Sequence, residues 1–381
     1  MAIYLDHAAT TKPAEEVIDA ISDCLRNHYG NPSSLHRMGL DAEEVMTGAR
    51  KAVASAIGTP ISPDHPEVLF TSGATEASNL AIRGAAATYG RRSKHIITSA
   101  VEHSSVRSTM DSLEAMGYTV TRIKPREDGA FYAEDFLAAV TPETCLVSMM
   151  YVENETGTIL PAAEVLRRVK KKNPKIITHC DSVQAFMKYP VSVDDLHADL
   201  LSVSGHKIHG PKGIGALYIR KGIRLSPIVT GGKQERGLRP GTEAVPLVAG
   251  FGAAVRLMQP TMQERFERVA GLHDTLVEML RGMDDITLNS PENGSKYIVN
   301  FSVKGIRSET MLHFLESKEI YVSSGSACSK GAKSGVLAAY GISDDRADSA
   351  VRVSLDASNT AEELGILTDA IREGQRTLIH K

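Results

Sequence analysis

The sequence predicts an α/β fold, with a large domain built on a mostly parallel seven-stranded sheet and a smaller α+β domain. From about residue 14 to residue 254, short β-rich apolar runs alternate with longer amphipathic stretches, as in a parallel sheet covered by helices on both faces. The pattern changes after Met258, where Gln259-Pro260 interrupts it. The 381 residues also exceed a typical domain of about 150. We therefore expect residues 14–258 to form the large domain, and residues 1–13 and 259–381 the small one.

Within the large domain, strands and helices are expected to follow one another along the chain. Runs rich in β-branched residues predict strands at 67–71, 95–99, 118–123, 145–151, 175–180, 200–204 and 215–219. Amphipathic stretches between them predict helices that include 75–89, 104–116, 133–140 and 162–172. Ligands of such folds bind at the carboxyl ends of the strands, so the residues that follow each strand are the functional candidates.

The C-terminal third predicts a different mixture of elements. A long helical pattern covers 261–283, two strands are expected at 296–303 and 319–323, and two helices near 308–317 and 360–376. This order is typical of an α+β unit.

Composition excludes several classes of protein. Lys plus Arg number 43 and Asp plus Glu 46, which gives a net charge of −3 and argues against nucleic acid or an anionic membrane as the partner. The N-terminus does not resemble a secretory signal, and no apolar run approaches the roughly 18 residues of a membrane helix. The four cysteines lie far apart, which disfavours a zinc site or a disulfide framework. A reducing cytoplasm is the expected location.

The strongest local signal is Ser204-Gly205-His206-Lys207, directly after the predicted strand 200–204. A lysine at a strand end beside serine, histidine and glycine is placed where a carbonyl group can reach its amine, as a Schiff base requires. A surface loop with a solvated lysine is the alternative that this segment alone leaves open.

An acid follows the preceding predicted strand. Asp181 is placed to pair with the nitrogen of a pyridoxal ring, which keeps that nitrogen protonated and the ring able to accept electrons. Gln184 lies three residues on and is expected on the same side of a following helical turn. Helix N-capping is the alternative for Asp181, and the two roles could use different atoms of the turn.

A third segment, Phe70-Thr71-Ser72-Gly73-Ala74-Thr75, predicts a strand, a small-residue turn and a helix start. Backbone N–H groups at the start of a helix, together with the Thr75 hydroxyl, could hold a phosphate. Such turns also occur without ligands, so this signal depends on the other two.

Two further polar residues follow predicted strands. His103 could stack on an aromatic cofactor or exchange protons, and Asn154 could donate to a phenolate or carboxylate oxygen. A structural or solvated role is the alternative for His103, and capping for Asn154.

Cys328 lies in the Gly- and Ser-rich run 323–335, with lysines nearby that favour its thiolate. A thiol on such a loop suits a travelling nucleophile, whereas Cys24 and Cys145 are expected to be inert buried residues. Arg352 could hold a substrate carboxylate with its planar guanidinium, with a surface ion pair as the alternative.

Taken together, these segments resemble the cysteine desulfurases of the class V aminotransferase group, which are pyridoxal-phosphate enzymes of fold type I. The resemblance covers almost the whole chain. It is carried by Tyr4-Leu5-Asp6-His7-Ala8-Ala9-Thr10-Thr11, by Asn31-Pro32-Ser33-Ser34-Leu35-His36 and by the segments 72–76, 102–103, 153–157, 181–184, 204–207, 231–242 and 324–328. The Ser-Gly-Ser-Ala-Cys form of the last segment is similar to the branch with a long mobile cysteine loop.

The resemblance implies a homodimer that binds pyridoxal 5′-phosphate. Lys207 would join the cofactor covalently, and His103 would stack on its ring. Asp181 would meet the pyridine nitrogen and Gln184 the phenolic oxygen. The phosphate would be held by Ala74, Thr75, Ser204 and His206, and by Thr242 of the second subunit.

It also implies the reaction. Asn154 and Arg352 would receive the carboxylate of L-cysteine, and Lys207 would take the α-proton. The Cys328 thiolate would then attack the substrate sulfur, which leaves a persulfide on Cys328 and releases L-alanine. The sulfur would pass to an acceptor protein, an iron–sulfur scaffold or a tRNA thiolase. No metal site is expected, apart from Cys328 as a transient ligand of an iron–sulfur cluster.

Three other functions stay open at this point: a selenocysteine lyase, another class V aminotransferase, and a weakly active sulfur-relay protein. Cys328 argues against simple transamination, which needs no thiol. The sequence also departs from the usual family pattern at Lys233, Pro240, Ala244 and Asp356. We expect these departures to affect substrate geometry or rate more than cofactor binding.

Overall fold

Strands and helices alternate through the part of the chain that the computed structural model describes, residues 2–60, 67–91, 93–324 and 334–378. The elements up to residue 219 are β1 (Ile3–Tyr4), α1 (Glu15–Asn27), α2 (Arg37–Ala56), β2 (Val68–Thr71), α3 (Ala74–Tyr89), β3 (His95–Ser99), α4 (Ser104–Ala115), β4 (Thr119–Ile123), α5 (Ala133–Ala139), β5 (Thr144–Met150), α6 (Ala162–Lys172), β6 (Ile177–Asp181), β7 (Leu200–Ser204) and β8 (Gly215–Ile219). The later elements are α7 (Val245–Met258), α8 (Met262–Arg281), β9 (Ile286–Leu288), β10 (Ile298–Val303), α9 (Ser308–Glu316), β11 (Ile320–Tyr321), α10 (Gly335–Ala339), α11 (Asp344–Asp348), β12 (Ala350–Ser354) and α12 (Ala361–Thr377).

The strands between residues 68 and 219 form a seven-stranded sheet, in the order β2-β8-β7-β6-β5-β3-β4. The strands from β7 to β4 pair in parallel, and β8 runs antiparallel to both of its neighbours. Strands β2, β3, β5, β6, β7 and β8 are buried along their whole length, as expected when helices cover both faces. The predicted fold class is confirmed.

The predicted elements are present, with ends that shift by one or two residues. Helix α7 was not predicted separately because it is buried on nearly every side and therefore lacks the alternating polar face that marks an amphipathic helix. Strand β12 was missed because Arg352 interrupts its apolar run in the sequence, although the strand is buried.

A three-stranded sheet, in the order β12-β10-β9, belongs to the C-terminal part. Its apolar core also contains Ile3 and Leu5 from the N-terminus, and β1 pairs in parallel with β11. Residues near both chain ends therefore share one core, although the division at residue 258 stays a prediction. None of the helices in the described ranges is long and apolar enough to span a membrane.

Candidate active site

A cavity of about 830 Å³ opens at the carboxyl ends of the parallel strands, where the predicted site residues were expected. It gathers most of them from segments far apart in the chain. Its walls include Ala74, Thr75, His103, Asn154, Asp181, Gln184, Ser204, His206, Lys207 and Arg352. Thr242 is exposed and does not line this cavity, and Cys328 lies outside the described residues.

Lys207 closes a short 3₁₀ turn that follows β7. Its Nζ donates to the carbonyl oxygens of Ala8 at 2.5 Å and of Ala9 at 2.7 Å. Burial lowers the pKa of the amine to about 7, helped by the positive charges of Lys188 and Arg352. A neutral amine is a nucleophile, so Lys207 is suited to attack a carbonyl carbon at physiological pH.

Asp181 is the last residue of β6, and its side chain is buried. Its Oδ1 accepts a hydrogen bond from the N–H of Val183 at 3.1 Å. One carboxyl oxygen therefore caps the following turn, a role similar to the N-capping that the sequence left open for Asp181. Burial raises the pKa of this carboxyl to about 6, against the lowering effects of the Val183 N–H and of Lys207. A positively charged ring nitrogen would favour the ionised form further.

The segment after Asp181 differs from the prediction. Residues 183–188 form turns, not the expected start of a helix. The side chain of Gln184 nevertheless reaches the cavity, where its Nε2 donates to the carbonyl oxygen of Ala8 at 2.9 Å. The amide of Gln184 and the amine of Lys207 therefore share one acceptor.

The small-residue turn between β2 and α3 also faces the cavity. Gly73 has φ +153° with ψ 176°, a conformation that other residues rarely adopt, and a Cβ at this position would meet nothing within 4 Å. The α3 N-terminus, with Ala74 and Thr75, thus opens onto free space. Backbone N–H groups and the positive end of the helix dipole make such a turn suitable for a phosphate.

His103 immediately precedes α4 and lines the cavity. Its Nδ1 accepts a hydrogen bond from the Ser105 N–H at 3.2 Å and lies 2.9 Å from the Ser105 hydroxyl. Burial lowers its pKa to about 4, and the charges of Lys207 and Arg107 act in the same direction. The ring is therefore neutral at physiological pH, with its proton on Nε2.

Arg352 lies in β12 and lines the same cavity. Its Nη1 donates to the Asn154 carbonyl oxygen at 2.8 Å, and its Nη2 pairs with Asp6 Oδ1 at 2.8 Å. Arg352 Nε and Asn154 Oδ1 are buried with no hydrogen-bond partner among the described residues. Buried polar groups normally have partners, so these two atoms leave hydrogen-bonding capacity unused within the described residues.

Sequence reasoning did not single out Asp6, Glu102 or Glu155 for this site. Glu102 is buried, accepts from the Met150 N–H and the Ser99 hydroxyl, and has a pKa that burial raises to about 8. Burial and the neighbouring Glu153 raise the pKa of Glu155 to about 7. Glu102 precedes His103 and Glu155 follows Asn154, and both lie in segments that carry the family resemblance, which is the sequence signal that could have found them.

These residues fit the pyridoxal phosphate that the resemblance implies. The cavity combines a lysine amine, a carboxyl group, a neutral imidazole and an open helix N-terminus, which are the groups that an aldehyde, a pyridine nitrogen, an aromatic face and a phosphate require. The unpartnered Nε of Arg352 is a donor of the kind that a carboxylate-bearing molecule requires, whereas the unpartnered Oδ1 of Asn154 is an acceptor that only a donor group could use. In the described ranges, no three His, Cys, Asp or Glu side chains are arranged to hold a metal ion.

Comparison with known proteins gives consistent matches along the chain. The family described as aminotransferase class-V matches residues 3–367. A protein of Dictyoglomus turgidum named "Cysteine desulfurase IscS" is 38% identical over 373 residues, which cover 97% of this chain and 93% of the relative. A solved "NIFS-LIKE PROTEIN" superposes with a TM-score of 0.93 at 37% identity, covering 99% of this chain and all (100%) of the other. A structure described as "SspA in complex with cysteine" has a TM-score of 0.81 at 33% identity, covering 94% and 100%.

Proposed function

The chain belongs to the class-V aminotransferase family, and within it to the cysteine desulfurases; we propose that its cavity holds pyridoxal 5′-phosphate and releases L-alanine from L-cysteine. The observation that carries this proposal is the meeting, in one cavity, of a lysine amine of lowered pKa with a buried arginine that keeps unpaired N–H capacity. A solved relative was described as a complex with cysteine, which supports the choice of substrate.

The chain supplies the groups that hold the cofactor. Asp181 would keep a proton on the ring nitrogen, Gln184 would donate to the phenolic oxygen, and His103 would contact the ring. The phosphate would be held by the α3 N-terminus with Ala74 and Thr75, and by Ser204 and His206. When bound, pyridoxal phosphate supplies an electron-accepting ring that stabilises negative charge on the substrate's Cα.

The substrate is held and activated by three further side chains. Arg352 and Asn154 receive the carboxylate of L-cysteine. Lys207 Nζ takes the α-proton, which its lowered pKa allows at neutral pH. Cys328 then attacks the substrate sulfur.

This transfer balances without an external oxidant or reductant. A sulfur–sulfur bond to Cys328 forms as the carbon–sulfur bond of the substrate breaks, and that bond's electron pair stays on the carbon. Protonation of this carbon, together with the return of a proton to Cα from Lys207 Nζ, yields L-alanine. The sulfur is thereby oxidised to the persulfide level, and the substrate carbon is reduced by the same two electrons.

The partners are a second copy of the chain and a sulfur acceptor. Thr242 is exposed and outside the cavity of its own chain, as suits a residue that reaches the phosphate of the other subunit. We assign the sulfur to an iron–sulfur scaffold or a tRNA thiolase, with direct contact to neither nucleic acid nor membrane. The cytoplasm suits the free thiols of Cys24, Cys145 and Cys180.

We expect Cys328→Ala to keep the yellow colour of the bound cofactor and to lose sulfur transfer. The purified protein is incubated with L-cysteine, alanine is quantified, and persulfide is mapped by mass spectrometry. Cys145→Ala is the matched control, because burial raises the pKa of that thiol to about 11 and leaves it unreactive. If the Cys328 variant releases sulfide at the normal rate without added thiol, the nucleophile assignment is wrong, and a lyase that needs no thiol becomes the better description.

We expect Gly73→Ala to weaken the binding of pyridoxal phosphate, because alanine cannot hold φ +153° without strain of about 1–3 kcal/mol. Titration of the apoprotein with the cofactor measures the dissociation constant. Gly129→Ala is the control, since Gly129 also has a positive φ of 77° and open space around it but lies in a surface turn. If the two variants bind pyridoxal phosphate with equal affinity, the conformation of Gly73 is not needed for phosphate binding.

A further inference from the structure

Lys188 is a buried lysine that lies outside the sequence motifs and has no role in the mechanism proposed above. Only 6% of the surface of Lys188 is exposed. Its Nζ lies 3.1 Å from Gln184 Oε1 and 5.4 Å from the centroid of the Tyr297 ring. Burying an ammonium group costs free energy unless polar groups or an aromatic face compensate. A lysine in this position is therefore held by specific contacts with the amide of Gln184 and the ring of Tyr297.

The contact with Lys188 decides which way the amide of Gln184 faces. An ammonium group has three donors and no acceptor, so Gln184 must turn Oε1 toward it. The NH₂ group then faces the Ala8 carbonyl oxygen, to which it donates at 2.9 Å. A flipped amide would set donor against donor at Lys188 and acceptor against acceptor at Ala8. Both contacts thus favour the same orientation.

That orientation matters at the point where Lys207 acts. Lys207 Nζ donates to the same Ala8 carbonyl oxygen that Gln184 Nε2 uses. In pyridoxal phosphate, the phenolic oxygen is on the ring carbon next to the one that bears the aldehyde. If the cofactor is joined to Lys207, its phenolic oxygen would lie on the side of the NH₂ of Gln184, which can donate to it, whereas Oε1 would repel it.

The charge of Lys188 also affects the pKa of the Lys207 amine. After burial, Lys188 is the largest influence that lowers the pKa of the Lys207 amine. Burial lowers the pKa of Lys188 itself only to about 8, against the raising effect of Asp356, so it is mainly charged at neutral pH. The other groups that act on these two amines are Arg352, Asp6 and Asp181, and the neutral rings of His7, His103 and His206 lie close by.

We propose that Lys188 is a positioning residue of this site: its buried ammonium group fixes the Gln184 amide with NH₂ toward the cofactor and places a second positive charge near Lys207. The inference rests on the proposed function, since it needs pyridoxal phosphate in the cavity. It adds to that function a contact between two side chains, Gln184 and Lys188, neither of which acts as the nucleophile. The two contributions, orientation and charge, can be measured separately.

Two variants separate them. Lys188→Met removes both the donor and the charge, whereas Lys188→Gln removes the charge and can still donate to Gln184 Oε1. The visible absorbance of the cofactor-loaded enzyme is titrated against pH, which reports protonation at Lys207 Nζ. In both variants the midpoint is expected to rise by about one pH unit, because a like charge has been removed. The dissociation constant for pyridoxal phosphate is expected to rise about fivefold in Lys188→Met and less in Lys188→Gln.

Lys296→Met is the matched control, because Lys296 precedes Tyr297 but pairs with Asp274 at the surface. Its midpoint is expected to equal that of the unmodified enzyme. The inference is overturned if Lys188→Met keeps both the midpoint and the affinity of the unmodified enzyme, or if Lys296→Met shifts the midpoint as far. If Lys188→Met does not fold, the midpoint of Lys188→Gln decides. An unmodified protein that binds no pyridoxal phosphate would instead refute the proposed function.

Discussion

Lys207→Ala is expected to abolish covalent attachment of pyridoxal phosphate and to lower alanine formation by at least about 10³-fold. The substitution removes the amine that joins the cofactor and the base that takes the α-proton. Reduction of the unmodified enzyme with borohydride should yield a pyridoxyl-labelled peptide that contains Lys207, and the variant should yield none. Mass spectrometry of the digested protein makes this measurement.

Lys207→Arg is the matched control for this loss. Arginine keeps the positive charge but cannot form the covalent bond, since its guanidinium does not deprotonate in proteins. We expect it to lose as much activity as Lys207→Ala. An arginine variant that retained activity would show that Lys207 serves as a charge, and the proposed chemistry would then be wrong.

The pH dependence of cofactor uptake provides a second check on the same residue. Because the pKa of the Lys207 amine is lowered to about 7, the reactive neutral form becomes abundant as the pH rises through this value. Uptake by the apoprotein should therefore accelerate with rising pH near 7 and level off above it. An amine of ordinary pKa would give a rate that continues to rise toward pH 10.

The sequence predicted much of this site because several of its residues follow or end a predicted strand. Lys207 comes directly after β7 and Asp181 ends β6, so the carboxyl edge of one sheet brings them together. Asp6 was not predicted because its role depends on Arg352, which is 346 residues away in the chain. Lys188 lies in no motif, and only the orientation of the Gln184 amide reveals its contact.

Asp356 departs from the usual family pattern, and its identity alone does not predict its hydrogen-bond partners. Its departure from the family pattern predicts an effect on substrate geometry or rate. In the structure, its carboxylate accepts hydrogen bonds from the Ser358 hydroxyl at 2.7 Å and from His209 Nε2 at 3.0 Å, with Arg265 Nη2 at 3.4 Å. His209, His7 and Arg265 hold the pKa of this carboxyl well below the usual range, against the raising effect of burial. It joins the loop after Lys207 to the end of β12 and does not line the cavity.

Arg352→Lys is expected to lower kcat/KM for L-cysteine about 30- to 150-fold, mainly through KM, while the visible absorbance of the cofactor is kept. A guanidinium has five N–H donors in a planar arrangement, and the bonds to Asn154 and Asp6 use two of them, which leaves a second N–H on each of Nη1 and Nη2 as a candidate donor to the substrate. Lysine keeps the charge but not the paired geometry. Loss of charge-assisted hydrogen bonds worth about 2–3 kcal/mol corresponds to this range. Steady-state kinetics with L-cysteine measures the change.

Two comparisons distinguish substrate binding from a structural role of Arg352. Asp6→Asn disturbs the ion pair with Arg352 but leaves the arginine, so its KM should change less than that of Arg352→Lys. The methyl ester of L-cysteine lacks the carboxylate, and the unmodified enzyme should discriminate against it strongly. Arg352→Lys lacks the guanidinium that binds the carboxylate. The ratio of its kcat/KM for L-cysteine to its kcat/KM for the ester should therefore fall by about the same factor as its kcat/KM for L-cysteine. If Asp6→Asn raises KM equally and the preference is unchanged, Arg352 acts only by anchoring the N-terminal segment.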